Sequence, residues 1–155
     1  MNTNTSWVNK YMRIPFEADG ASFKGCNCWG LVHLVLVTER GIDTPRYSEI
    51  SAKHVRRITR EVNSAQGIPP WEHRVVVGGE EPFDVIVFKG LVRGHAVNLH
   101  TGIVTKPGYC LHIAEGHQVA HVPFRDSEWS KCNFTLLNRL VGIFRHEQLA
   151  VAVTA

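Results

Sequence analysis

The sequence predicts an α+β fold in which N-terminal helices pack on a mainly antiparallel β-sheet. Three observations predict it. Helical patterns are confined to the first half of the chain, short β-rich runs fill the second, and no helical crossover remains there to join parallel strands. With 155 residues, 44% of them hydrophobic, the chain has material for one compact core and little room for a second, so residues 1–155 are expected to form a single domain.

Residues 1–27 hold Pro15, Gly20 and Gly25 among isolated aromatics, the pattern of an irregular arm laid over a core. From Cys28 to Arg40 the chain is apolar almost all round, ends in a basic residue and is followed by Gly41, which predicts a buried helix with a glycine stop. Its valines would also suit a strand; length and the stop signal favour the helix. Residues 45–66 carry a second, amphipathic helical pattern through Ile50, Val55, Ile58 and Val62, broken at Gly67-Ile68-Pro69-Pro70. Strands are predicted at 73–77, 84–88, 95–105, 109–114, 117–122 and 140–145, with turns at Gly78-Gly79, Gly90, Lys106-Pro107-Gly108, Glu115-Gly116 and Pro123. The tail, residues 147–155, ends in the small, apolar stretch LAVAVTA and either docks or frays.

The net charge of +3 comes from 17 Lys and Arg against 14 Asp and Glu, scattered apart from Lys53, Arg56, Arg57 and Arg60. That group fits a solvated helix face better than an anionic-polymer contact, and nucleic acid is not expected as a partner. No apolar stretch approaches the roughly 18 residues of a membrane span, and the N-terminus lacks the apolar core of an export signal. The four cysteines are therefore expected as thiols, leaving chemistry, metal binding or burial as their roles.

A thiol nucleophile needs its thiolate, and the first turn of a helix favours negative charge through unpaired N–H groups and the helix dipole. Cys28 stands at that place, with Asn27 as a helix N-cap before it and Gly30 after it, where a substrate or a neighbouring strand could approach closely. A base must come from elsewhere, and residues 95–121 offer His95, His100, His112, His117 and His121. Strand alternation with a turn at Pro107-Gly108 puts His100 and His112 on the same side of one hairpin, where His112 can hold His100 in its useful tautomer. The other three histidines are expected to be structural. A zinc site from Cys26, Cys28, Cys110 and His112 is a competing possibility, although C-x-C lacks the usual bite, and no cofactor or metal is expected.

Several segments together resemble one family. Gly25-Cys26-Asn27-Cys28-Trp29-Gly30-Leu31-Val32 is similar to the Asp-Cys-x-Gly-Leu-Val nucleophile motif of the NlpC-like cysteine peptidases, papain-like enzymes that hydrolyse cell-wall peptides. Pro82-Phe83-Asp84-Val85-Ile86-Val87-Phe88 resembles their Gly-Asp-Val-x-x-Phe strand, His100-Thr101-Gly102-Ile103-Val104 their His-Val-Gly-Ile-Tyr strand, and Val141-Gly142-Ile143-Phe144-Arg145 their last strand. The motifs occur in family order across most of the chain.

The resemblance implies a papain-like fold and a catalytic set of Cys28, His100 and His112, with Asn27, Trp29, Gly30 and Phe16 around the substrate and oxyanion. It implies a peptidoglycan stem peptide as substrate, cut after D-glutamate. Trp29, the opening Trp7…Tyr11…Ile14-Pro15-Phe16 and the segment Gly41-Ile42-Asp43-Thr44-Pro45-Arg46-Tyr47 look most like phage tail-associated members, which implies other tail proteins as partners and a place in the virion, or in the host cytoplasm before assembly. Two positions depart from the family: Asn27 stands where Asp is usual, and Phe16 near where cellular members place a Tyr. These departures motivate an alternative, a structural tail protein that keeps the fold with weak activity or none.

Overall fold

The computed structural model describes residues 5–44, 73–92, 95–114, 116–124 and 140–149. The expected second helix at 45–66, its Gly67–Pro70 break, the basic group at 53–60, Cys132 and the last six residues of the tail lie outside them. Among the described residues the fold is one α-helix packed on a six-stranded antiparallel sheet, the expected α+β class.

The arm opens with a 3₁₀ turn over Ser6–Lys10 and ends in a two-stranded hairpin of β1 (Ala21–Ser22) and β2 (Gly25–Cys26). Irregular as it is, its backbone groups are paired. Phe16 donates to the His117 carbonyl and Val119 donates to that of Ile14, while Cys26 donates to Pro15 and Glu17 to Cys26. The arm is thus threaded between the far end of the sheet and the entry to the helix. Tyr11 Oη, 2.8 Å from Glu39 Oε1, and Lys10, 2.6 Å from the same oxygen, fasten it to the helix as well.

Helix α1 is Cys28–Arg40. Asn27, in extended conformation, caps it by accepting the Gly30 N–H at 2.7 Å. At the other end Gly41 takes the left-handed conformation (φ 65°, ψ 22°), its N–H bonding Val37 and that of Ile42 bonding Leu36, so the last carbonyls are satisfied and Ile42 folds back into the core. Leu31, Val32, Val35 and Leu36 are buried. Each such side chain removed from water contributes about 1.5–3 kcal/mol, which outweighs the modest helix propensity of the valines.

The sheet comprises β3 (His73–Val75), β4 (Val85–Val92), β5 (His95–Lys106), β6 (Tyr109–His112), β7 (Ala120–Pro123) and β8 (Leu140–Arg145), in the order β3-β8-β4-β5-β6-β7. Apolar side chains fill both faces. Val85, Val87, Ile103 and Leu111 join α1 in one core, whereas Ile86, Phe88, Val104 and Cys110 join Val122, Phe124 and Ile143 in a second. The continuous apolar run Val85–Phe88 follows from this double burial.

Two predicted limits move. Gly90 was expected to turn the chain, but β4 runs through it to Val92, because the register between β4 and β5 shifts between Phe88 and Gly90 and absorbs the irregularity. Residues 117–119, expected in a strand, instead meet the arm, and β7 begins at Ala120 and carries Pro123 to its end.

Two buried carboxylates brace the sheet. Asp84 is fully buried and takes Arg145 on both oxygens, at 2.8 and 2.9 Å, tying the start of β4 to the end of β8. Glu80, 2% exposed, accepts the N–H of Gly78 through one oxygen and that of Gly108 through the other, at 2.7 and 2.9 Å, joining two turns.

Candidate active site

Cys28 is the first residue of α1 and is half-buried. Its sulfur lies against Thr101, close to the Thr101 N–H and hydroxyl and to the backbone N–H groups of Trp29 and Cys28 itself. The Thr101 amide is the one that joins Thr101 to His100, so the helix delivers the thiol to the peptide next to the histidine. Burial pushes the Cys28 thiol up, and the Thr101 and backbone donors pull against it. The helix start alone suggests a depressed thiol; desolvation against β5 reverses that direction.

His100 and His112 are brought together as the hairpin geometry predicts. Their rings share a hydrogen bond between His100 Nε2 and His112 Nδ1 at 2.8 Å and stand perpendicular, with centroids 5.1 Å apart. Gly102 pairs with His112 across the β5–β6 ladder, so His100 reaches it diagonally on the same face. Phe88, directly opposite His100 on β4, supports its ring with centroids 5.9 Å apart. Between this pair and the next, Gly90 with Val97, two residues of β5 lie opposite one of β4, a bulge immediately before His100. His112 is 8% exposed, and burial, with a smaller contribution from His117, pushes its pKa down to about 4.

The surrounding candidates divide. Asn27 is buried and fixed at both ends, its Nδ2 donating to the Ala18 carbonyl at 2.8 Å. Gly30 makes room for backbone and not for a ligand, since a Cβ there would collide with the Gly20 carbonyl. Trp29 is 7% exposed and belongs to the helix-side core. Phe16 forms a parallel bridge with Cys26 and packs at the margin of that same core.

The four residues of the competing zinc arrangement are not gathered, because Cys26 belongs to the helix-side core and Cys110 to the core on the opposite face. Burial pushes both of these thiols up to about 12. His33 and His121 have partners in Thr44 and Thr105, at 2.9 and 2.7 Å. The side chain of His95 lies outside the described residues.

Sequence reasoning passed over Thr101. The available signal was alternation: a hydroxyl one place from His100, on the side of the strand that carries Ile103 two places on.

Neither a family model nor a curated protein matches the sequence. Two solved structures are similar in fold. One is the NlpC/p60 domain of the peptidoglycan hydrolase SagA, at 17% identity and a TM-score of 0.56, covering 94% of this chain and 99% of that one. The other is a lipoprotein-like protein of the NLP/P60 family from Staphylococcus aureus, at 17% identity and a TM-score of 0.53, covering 92% of this chain and 39% of that one. The chain therefore has the fold of NlpC/p60 domains.

Proposed function

We propose that the chain is a cysteine peptidase that hydrolyses peptidoglycan stem peptides, with Cys28 as nucleophile, His100 as base and His112 as the group that orients the base. The observation that carries this is the placement of the Cys28 sulfur against the His100–Thr101 peptide while His100 Nε2 is held 2.8 Å from His112 Nδ1. The fold shared with the NlpC/p60 domain of a peptidoglycan hydrolase supports the choice of substrate.

The chemistry follows from the pair. For His100 to accept a proton on Nδ1, its own proton must sit on Nε2 and be donated to His112 Nδ1, which leaves the His112 proton on Nε2. With its pKa near 4, His112 is neutral at physiological pH and can accept that hydrogen bond. Because burial keeps Cys28 protonated at rest, His100 takes the thiol proton as sulfur attacks the amide carbonyl carbon. The C–N bond breaks, His100 returns the proton to the leaving amine, and water releases the thioester as a carboxylate. The backbone N–H of Cys28 helps hold the oxyanion. The bond after D-glutamate is the proposed point of cleavage, and a phage tail, acting during wall penetration, the proposed setting.

Incubating the purified protein with muropeptides and measuring new amines tests this. The parent should release them, Cys28→Ala should release none, and His100→Ala should be slower by about 10²-fold or more. A Cys28→Ala variant as active as the parent ends the proposal. The raised Cys28 thiol and the Asn27 and Phe16 departures favour a second function, a tail protein that keeps the fold without turnover. In that case iodoacetamide shows no preference for Cys28.

A further inference from the structure

We propose that Thr101 stabilises the thiolate of Cys28, its hydroxyl donating a hydrogen bond to the sulfur once the thiol has lost its proton. This rests on Cys28 being the nucleophile and adds a residue to the site that the motif resemblance does not supply: the NlpC-like strand motif that residues 100–104 resemble carries valine at this position.

Three observations carry the assignment. Thr101 pairs with Val87, and both Val87 and Ile103, two places on, belong to the core that contains α1, so its side chain points toward α1 and is fully buried. The hydroxyl has no hydrogen-bond partner of good geometry, although a buried hydroxyl is costly without one. The polar group it lies against is the Cys28 sulfur, which already takes the Thr101 N–H. A neutral thiol is a poor acceptor, so the contact is slack in the resting state. A thiolate is a charged acceptor, and a small rotation about the Thr101 Cα–Cβ bond turns the contact into a charge-assisted bond. The interaction therefore strengthens as negative charge develops on sulfur, which is when it lowers the barrier. It also counters the desolvation that pushes Cys28 up.

The test is the pH profile of Cys28 alkylation by iodoacetamide, located by peptide mass spectrometry, in the parent, Thr101→Val and Thr101→Ser. Valine keeps the shape and removes the hydroxyl; serine restores the hydroxyl. The expected result is a midpoint about one pH unit higher in Thr101→Val, a roughly tenfold slower reaction on the rising limb, with Thr101→Ser returning most of the way to the parent. Circular dichroism of all three verifies the fold. A Thr101→Val profile that superimposes on the parent overturns the proposal, as does a serine variant that behaves like valine. If the midpoint moves but the parent cleaves no muropeptide, the peptidase function fails and the role of Thr101 stands. If Cys28 is not preferentially labelled in the parent, both fall.

Discussion

The amide of Asn27 reaches back to the arm, its Nδ2 donating to the Ala18 carbonyl at 2.8 Å while Oδ1 holds the Gly30 N–H at 2.7 Å. An aspartate here could cap the helix equally well but could not donate. Asn27→Asp should therefore set a carboxylate oxygen against a carbonyl in a buried place and cost about 1–3 kcal/mol, with the urea midpoint as the measurement. The added charge beside Cys28 should also slow its alkylation. An aspartate variant as stable as the parent would show that the arm does not depend on this bond.

His112 makes stability depend on pH in a definite direction. Its folded pKa, near 4, is depressed below the ordinary 6.5, so the unfolded chain binds the proton first. The contribution is complete above pH 6.5 and is lost as pH falls toward 4, by up to about 3 kcal/mol. His121 and His146, also pushed down by burial, act in the same direction. Urea midpoints at pH 7 and pH 5 should differ clearly for the parent and less for His112→Asn. Equal differences for the two proteins would remove His112 as the cause.

Gly102 sits between the paired strands that carry the two histidines. A Cβ there would stand 2.8 Å from the Leu111 carbonyl oxygen and 3.3 Å from Ile86 Cγ2, so alanine must push β6 away and with it His112. Gly102→Ala should reduce kcat by about tenfold or more while leaving KM little changed, since the loss lies in alignment and not in binding. Gly30→Ala, which collides with the Gly20 backbone, should instead detach the arm from the helix and lower stability outright. Reversing the two outcomes would mean that the glycines have been assigned the wrong roles.

Arg145 neutralises a fully buried carboxylate at two atoms, and Asp84 also accepts the Glu81 N–H at 2.8 Å. Removing the guanidinium alone, as in Arg145→Met, leaves that charge without its partner and should cost about 3–5 kcal/mol. Changing Asp84→Asn in the same protein should recover part of the loss, and calorimetric Tm values for the single and double variants measure the coupling. Fully additive losses would contradict a direct pair.

Much of this was legible before any coordinates. Helix α1 announced itself through Asn27, whose side chain caps it, and Gly41, whose left-handed conformation admits few other residues, and the strands through turn residues such as Pro107-Gly108 that fix register locally. His100 and His112 could be paired because alternation and a short turn leave few alternatives. The arm was less legible, since its pairing runs through backbone groups of Ile14, Phe16 and Cys26 that any side chain could accompany. Gly90 misled because a glycine signals a turn and a bulge alike. The protonation of Cys28 was also out of reach: a helix start favours the thiolate, and only the packing of β5 against it reveals the opposing desolvation.

The dispersal of the site along the chain has a consequence for synthesis. Cys28 leaves the ribosome early, followed by α1, but the thiol meets its hydrogen-bond donor on β5, beside the proposed base, only after that strand has emerged, and the His100–His112 bond forms only once the β5–β6 hairpin has closed. The arm adds a later condition, because Ile14 and Phe16 pair with Val119 and His117. Such long-range closures form late in folding. A nascent or misassembled chain therefore carries an ordinary cysteine, and the proposed site is assembled only with the completed fold.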